Sequence, residues 1–157
     1  MDTFTKAHVV LSLIGIVTGL VVLCGLLSSN RMHGWTMIFL ITTVATSVTG
    51  FFFPFHGVTP AIILGILSLI VLTAAIAARY AFQLARSWRW IYVVGAVVAL
   101  YFNVFVLVVQ TFLNVPALHA LAPKGSEPPF ATAQGIVLLL FIVAGIKSAK
   151  RFHPVIN

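Results

Sequence analysis

The chain has 157 residues, of which 61% are hydrophobic and only 7% are charged. A soluble domain carries about 25% charged residues, so this composition excludes a water-soluble monomer. It also excludes a disordered chain, because disorder requires low hydrophobicity and high charge. Nine Lys or Arg stand against two acidic residues, and in so apolar a chain this excess indicates membrane orientation rather than nucleic-acid binding. The single cysteine, Cys24, excludes an intrachain disulfide and a CxxC motif.

Five apolar segments approach the length of about 20 residues that a helix needs to cross a bilayer. They predict an all-α integral membrane bundle of five transmembrane helices that forms one domain over residues 1–157. The predicted helices are 8–27, 35–53, 60–84, 90–113 and 130–148. Thr59 and Pro60 fit the N-cap and first position of the third helix, and Thr132 is the expected cap of the fifth.

The connectors between these segments are short, except for the proline-rich stretch 114–129. Its first part, 114–121, is predicted to form a short interfacial helix capped by Asn114.

The basic residues are distributed unevenly over the two sides that five crossings define. The side of the N-terminus and of connector 114–129 has two, Lys6 and Lys124. The other side has seven. These seven are Arg31, Arg79, Arg86, Arg89, Lys147, Lys150 and Arg151. The positive-inside rule therefore predicts an outer N-terminus and a cytoplasmic C-terminus, in the inner (plasma) membrane of a bacterium.

No charged residue lies inside the apolar run of a predicted helix, since the third run ends at Ala78 and the fifth at Ile146, which disfavours proton-coupled transport. Neutral polar residues instead concentrate in the outer half of the bundle and predict an outward-opening pocket for a small uncharged or lipid-like ligand. The pocket candidates are Asn103, Gln110, Asn114, Gln134, Thr46, Thr49 and His56. The alternative is that these side chains only form hydrogen bonds between helices.

Three histidines, His8, His56 and His119, map to the outer side. Imidazole is a common ligand of metal ions and of haem iron. These residues are therefore candidates to hold haem b or a metal ion, which would make the chain a redox protein or a respiratory-complex subunit. The alternative is that they are ordinary interfacial residues.

Small residues at helical spacing are expected to let helices approach closely. These helix-packing candidates are Gly15, Gly19, Ala74, Ala78, Gly95 and Ala99. Such pairs serve contacts within one chain or between subunits, so a homo-oligomer or a ligand-free accessory subunit of a larger membrane complex stays open.

Three arginines of the basic side, Arg79, Arg86 and Arg89, are candidates to contact anionic lipid headgroups. The alternative is that they only set the orientation of the chain in the bilayer.

Catalysis is the least favoured class, because a Ser–His–acid set needs an oriented acid. The acids are Asp2, near the terminus, and Glu127, in a proline-rich loop. Metalloprotease, phosphate-loop and dinucleotide motifs are missing from the sequence. The sequence therefore predicts a non-catalytic multi-pass membrane protein that binds, or passes, a small ligand.

Overall fold

The structure of the protein is a computed structural model that describes residues 3–54 and 57–155. Within these ranges the chain is helical and contains no β-strand. The helices are α1 (Thr3–Leu27), α2 (His33–Gly50), α3 (Pro60–Ile76), α4 (Trp88–Asn114), α5 (Pro116–Leu121) and α6 (Pro128–Arg151). A π-helical turn, Ala77–Ala81, continues α3.

Four helical segments in the described part of the chain are long and apolar enough to cross a membrane. They are α1, α4, α6, and α3 together with its π-helical turn, and each has between 22 and 27 residues. Helix α2 is shorter, with 18 residues, and it contains five threonines and one serine. The predicted helical membrane bundle is therefore confirmed as the architecture of a small multi-pass membrane protein, in which α2 differs from the other long helices.

The ends of three helices test the capping residues expected from the sequence. Thr59 caps α3 as predicted, because its Oγ1 accepts a hydrogen bond from the backbone N–H of Ile62 at 3.4 Å. Thr132 does not cap α6, which begins at Pro128 with Glu127 at the N-cap. A proline at the first helical position loses no hydrogen bond, so the helix starts earlier than expected. Asn114 belongs to α4 and does not cap α5, whose N-cap is Val115.

The long helices run antiparallel to their neighbours in sequence, which gives the bundle two different ends. At one end the beginning of α1 meets the end of α2, where His8 bonds to Thr49. We call this the cavity end. At the other end Arg79, after α3, bonds to Arg31 in the connector between α1 and α2. We call this the basic end.

Helix α4 lies at the centre of the bundle and contacts α1, α3 and α6. Its buried positions include Gly95 and Ala99, which allow close approach of the neighbouring helices. A Cβ atom on Gly95 would lie 2.9 Å from the Cβ of Ala75 in α3. Ala78 is fully buried and Ala74 is partly exposed. The contact between α3 and α4 therefore depends on small side chains.

Helix α1 approaches α2 and α4 through Gly15 and Gly19. A Cβ atom on Gly19 would lie 2.5 Å from a methyl carbon of Leu100 and 2.8 Å from the ring of Phe39. A Cβ on Gly15 would lie 3.2 Å from the hydroxyl of Thr43. The GxxxG pair thus lies at a contact within the chain.

The outward faces of the helices are apolar. Ile41 and Ile70 are both 61% exposed, and Leu139 and Leu140 are both 63% exposed. Large apolar patches on a soluble protein are rare, whereas the faces of a membrane helix meet lipid. These faces agree with the composition and with the four candidate spans.

Candidate functional site

A cavity of about 120 Å³ lies between α1, α2, α3 and α4 near the cavity end. Its lining combines small polar groups with a few apolar and aromatic side chains. The lining residues are His8, Ser12, Thr46, Ser47, Gly50, Phe51, Ala61, Ile62, Leu64, Gly65, Ser68, Phe102, Asn103 and Val106. The cavity therefore brings together two of the predicted pocket residues, Thr46 and Asn103.

Asn103 is 7% exposed and is anchored across the bundle to α2. Its Nδ2 donates a hydrogen bond to Thr43 Oγ1 at 3.2 Å. Gly15 faces this hydrogen bond, since a Cβ there would lie 3.4 Å from the same Nδ2. One of the two N–H groups of Nδ2 is used in this bond, so Asn103 would meet a ligand through its second N–H as a donor or through its amide oxygen as an acceptor.

Serine and threonine hydroxyls form the rest of the polar lining. Ser47 Oγ lies 3.1 Å from Ser68 Oγ and 2.9 Å from the carbonyl oxygen of Thr43. Thr46 Oγ1 is buried and has no hydrogen-bond partner among residues 3–54 and 57–155. An unpartnered buried hydroxyl is costly, and each such group in a native structure requires an explanation.

His8 borders the cavity from α1. Its Nδ1 lies 2.8 Å from Thr49 Oγ1, and its ring meets the ring of Phe53 edge-on, with centroids 5.0 Å apart. The Thr49 hydroxyl lies 2.7 Å from the carbonyl oxygen of Ala45, to which it donates. Nδ1 of His8 therefore acts as the donor to Thr49. Thr49, a predicted pocket residue, thus orients a lining residue without lining the cavity itself.

The other predicted amides lie apart from the cavity lining. At the exposed end of α4, Asn114 Nδ2 donates to the carbonyl oxygen of Gln110 at 2.8 Å and to its Oε1 at 3.0 Å. Gln134 is buried, and its Nε2 donates to the carbonyl oxygen of Phe105 at 3.1 Å. Its Oε1 has no partner within the described ranges. Asn114 and Gln110 thus bond to each other within α4, and Gln134 bonds from α6 to α4. This agrees with the alternative that the polar side chains only form hydrogen bonds in and between helices.

Groups of at least three His, Cys, Asp or Glu side chains could hold a metal ion. The described residues contain no such group. His8 bonds to Thr49, and His119 is exposed on α5. His56 lies outside the described residues. Haem or metal binding therefore stays a prediction from the sequence.

The three arginines predicted to contact lipid headgroups have different surroundings at the basic end. Arg79 is only 5% exposed, so its guanidinium faces the protein interior rather than the headgroups. Its Nη2 donates to the carbonyl oxygen of Arg31 at 2.8 Å, and its Cζ lies 5.1 Å from the ring centroid of Tyr92. Arg89 Nη1 donates to the carbonyl oxygens of Ala149 and Phe152, and Arg86 is exposed.

Glu127 lies outside the spans, at the N-cap of α6. Its carboxylate accepts hydrogen bonds from the backbone N–H groups of Lys124 and Ser126, each at 3.0 Å. Desolvation acts against the charged carboxylate, but the backbone donors together outweigh it and lower the pKa of Glu127 below its ordinary value. The Glu127 carboxylate therefore closes the turn that precedes α6.

Ser68 is the cavity residue that sequence reasoning did not single out. It is an isolated polar residue in the apolar run of α3, and its burial at 4% exposure is the signal of an inward orientation.

Comparison with protein-family models, with curated proteins and with solved structures finds no match for this chain. Its function is therefore inferred from its own residues.

Proposed function

We propose that this protein is a non-catalytic, five-span membrane protein that binds, or passes, a small uncharged polar molecule in the cavity between α1 and α4. Helix α2 serves as the fifth span in this proposal. Its threonines Thr36, Thr42 and Thr43 are buried against neighbouring helices, so they do not present hydroxyl groups to lipid. Such a helix can cross a bilayer with fewer apolar residues than a helix exposed on all sides.

The observation that carries the proposal is Thr46, a residue of the cavity lining whose buried hydroxyl has no partner in the described part of the chain. Leaving such a group unpaired costs about 1–3 kcal/mol, and a bound polar molecule would offset this cost. Ser12 and the Asn103 amide line the same cavity. The donors and acceptors are neutral, so they suit an uncharged ligand better than an ion.

The size of the cavity narrows the ligand class. Its volume of about 120 Å³ corresponds to about four water molecules at ~30 Å³ each. Pockets for drug-sized molecules have volumes of roughly 300 Å³ or more. The cavity therefore favours a molecule of a few non-hydrogen atoms, such as a short polyol, over the lipid-like ligand that the sequence left open.

The charge distribution supports an orientation with the basic end in the cytoplasm of a bacterium and the cavity end outside. A reporter enzyme fused to the C-terminus tests this orientation. We expect reporter activity in the cytoplasm. Activity only on the outer side would overturn the orientation, because an odd number of spans from an outer N-terminus requires an inner C-terminus.

Binding is tested with radiolabelled glycerol as the probe, measured by a scintillation proximity assay on the purified protein. Thr46→Val removes the unpartnered hydroxyl and keeps the shape of the side chain. Thr73→Val is the matched control, because Thr73 is exposed on α3, outside the cavity lining, and its hydroxyl donates to the carbonyl oxygen of Leu69. We expect Thr46→Val to weaken glycerol binding by about three- to tenfold, the net value of one hydrogen bond. Thr73→Val should bind as the unmodified chain does.

A second pair of variants compares two amides on α4. Asn103→Leu removes the cavity amide, whereas Gln110→Leu removes an exposed amide outside the lining. We expect only Asn103→Leu to abolish glycerol binding. Equal binding in both variants, or no glycerol binding by the unmodified chain, would overturn the cavity as a site for a small polyol.

A further inference from the structure

An apolar groove of about 300 Å³ runs along the outer surface between α4 and α6. We call it the α4–α6 groove. Its lining residues are Trp90, Val94, Val97, Val98, Tyr101, Leu138, Phe141, Ile142, Gly145, Ile146 and Ala149. Trp90 and Ala149 lie at the basic end, and Tyr101 and Leu138 lie at the opposite end of the groove. We propose that this groove binds one acyl chain of an anionic phospholipid, whose headgroup lies at the basic end.

The depth of the groove comes from Gly145. A Cβ atom on Gly145 would lie 3.4 Å from a methyl carbon of Val97, which is ordinary van der Waals contact. Side chains on both sides of the groove stay partly open to the surroundings, with Trp90 49% and Ile142 47% exposed. A glycine between such side chains leaves an apolar channel. Water in this channel would be unfavourable, whereas a hydrocarbon chain fits it favourably because both surfaces are apolar.

The length of the groove matches one leaflet of a bilayer. From Trp90 to Tyr101 a helix rises about 16 Å at 1.5 Å per residue. This is about half of the ~30 Å hydrocarbon core. Trp90 lies at the basic end, where an indole ring is favoured at the level of the headgroups. An acyl chain that enters beside Trp90 therefore ends near the middle of the membrane.

The charges around the basic end of the groove select an anionic headgroup. Arg89 is held there by its hydrogen bonds to the carbonyl oxygens of Ala149 and Phe152. Lys150 is exposed and follows Ile146 by four residues, so it lies on the groove side of α6. Within residues 3–54 and 57–155 the one carboxylate, Glu127, lies at the cavity end, at the start of α6. The basic charges at the groove thus have no carboxylate beside them in the described chain.

Trp90 supplies the measurement, because bromine atoms on an acyl chain quench a nearby tryptophan. The chain has three tryptophans, so Trp35→Phe with Trp88→Phe leaves Trp90 as the single fluorophore. This variant is reconstituted into vesicles of phosphatidylcholine and phosphatidylglycerol, with one or the other lipid brominated. We expect brominated phosphatidylglycerol to occupy the groove about five times more strongly than brominated phosphatidylcholine. A basic residue near the surface gives a preference of this size.

Two further variants, built on the single-tryptophan chain, separate the acyl-chain site from the headgroup site. Gly145→Leu fills the groove and should abolish the preference, whereas Gly135→Leu is the matched control, because nothing lies within 4 Å of a Cβ on Gly135. Lys150→Gln leaves the groove open and should reduce the preference close to unity. Because Lys150 is exposed, this variant remains informative even if Gly145→Leu does not fold.

Three results would overturn the proposal. Equal quenching by the two brominated lipids would mean that only ordinary surrounding lipid lies against Trp90. A preference that persists in Lys150→Gln would remove the role of the headgroup site. A dimer that dissociates in Gly145→Leu would mean that a second copy of the chain occupies the groove. None of these results depends on glycerol binding, so the failure of this proposal is distinguishable from failure of the proposed function.

Discussion

The two ends of the bundle are built from different polar groups. At the basic end, charged side chains bond to backbone carbonyl oxygens, as Arg79 does to Arg31 and Arg89 does to Phe152. At the cavity end, neutral hydroxyl and amide groups border an open volume, and Thr46 Oγ1 has no partner among the described residues. Arginine side chains thus hold the basic end together, whereas neutral groups surround the open volume at the cavity end.

The largest expected effect comes from breaking the closed basic end. Phe152 is fully buried, and its ring centroid lies 5.8 Å from that of Tyr92. We expect Phe152→Ala to lower the free energy of unfolding by about 3–5 kcal/mol, because a large buried side chain is replaced by a cavity. Circular dichroism during titration with a denaturing detergent measures this change. Val155→Ala is the control, since Val155 is 79% exposed. Equal free energies of unfolding for the two variants would contradict the burial of the Phe152 side chain at the basic end.

A second prediction compares a glycine on the basic side of α1 with a glycine at the cavity end. Gly19→Ala places a Cβ only 2.5 Å from Leu100, whereas Gly50→Ala meets its nearest atom, in His8, at 3.7 Å. We expect Gly19→Ala to lower the free energy of unfolding by about 1–3 kcal/mol through overpacking. Gly50→Ala should change it by less than about 0.5 kcal/mol. The same detergent titration measures the free energy of unfolding of both variants. If Gly19→Ala were more stable than the unmodified chain, α1 would be able to move away from Leu100 and Phe39.

A smaller effect is expected from the hydrogen bond between Asn103 and Thr43, next to the cavity. A double-mutant cycle with Asn103→Leu and Thr43→Val isolates the interaction between the two side chains. We expect a coupling of about 0.6 kcal/mol, the average for hydrogen bonds between helices in membranes. A coupling near zero would mean that the hydrogen bond does not form.

The smallest effect concerns acidification at the cavity end. The pKa of Glu127 is lower in the folded chain than in the unfolded chain, because backbone N–H groups donate to the carboxylate. The turn from Lys124 to Glu127 is therefore fully stabilised above the unfolded pKa, and this stabilisation is lost as pH falls through the folded pKa. We expect hydrogen exchange at the Lys124 and Ser126 amides, corrected for the intrinsic rate at each pH, to lose protection on acidification. Glu127→Gln should remove this pH dependence.

Much of the architecture follows from hydropathy, because a bilayer requires long apolar helices whatever their neighbours are. The cap at Thr59 was predictable for a local reason, since a threonine before a proline satisfies a free N–H group within the same turn. The earlier start of α6 was missed because two prolines in a polar loop indicate a connector as readily as a first helical turn. The same residues in the same order fit both a connector and a first helical turn.

The surroundings of the polar side chains were less predictable, because hydropathy does not determine how a helix is rotated. Asn103 and Gln110 are seven residues apart on α4, yet one is buried beside the cavity and the other is exposed. Arg79 illustrates the same limit at the basic end. Its burial depends on the π-helical turn after α3 and on the ring of Tyr92, which lies in another helix. Neither the π-helical turn nor the contact with Tyr92 can be derived from the pattern of charges in the sequence.

The close approach at Gly19 closes the bundle on one side of the cavity. Helices α1, α2 and α4 touch there with no room for even a methyl group, as the positions of Leu100 and Phe39 show. The cavity lies beyond this point, towards His8 and Phe51. Gly19 therefore marks a tight contact between the cavity and the basic end. A molecule that leaves the cavity on the His8 side returns to the side from which it entered, so passage through the chain requires a separate opening past Gly19.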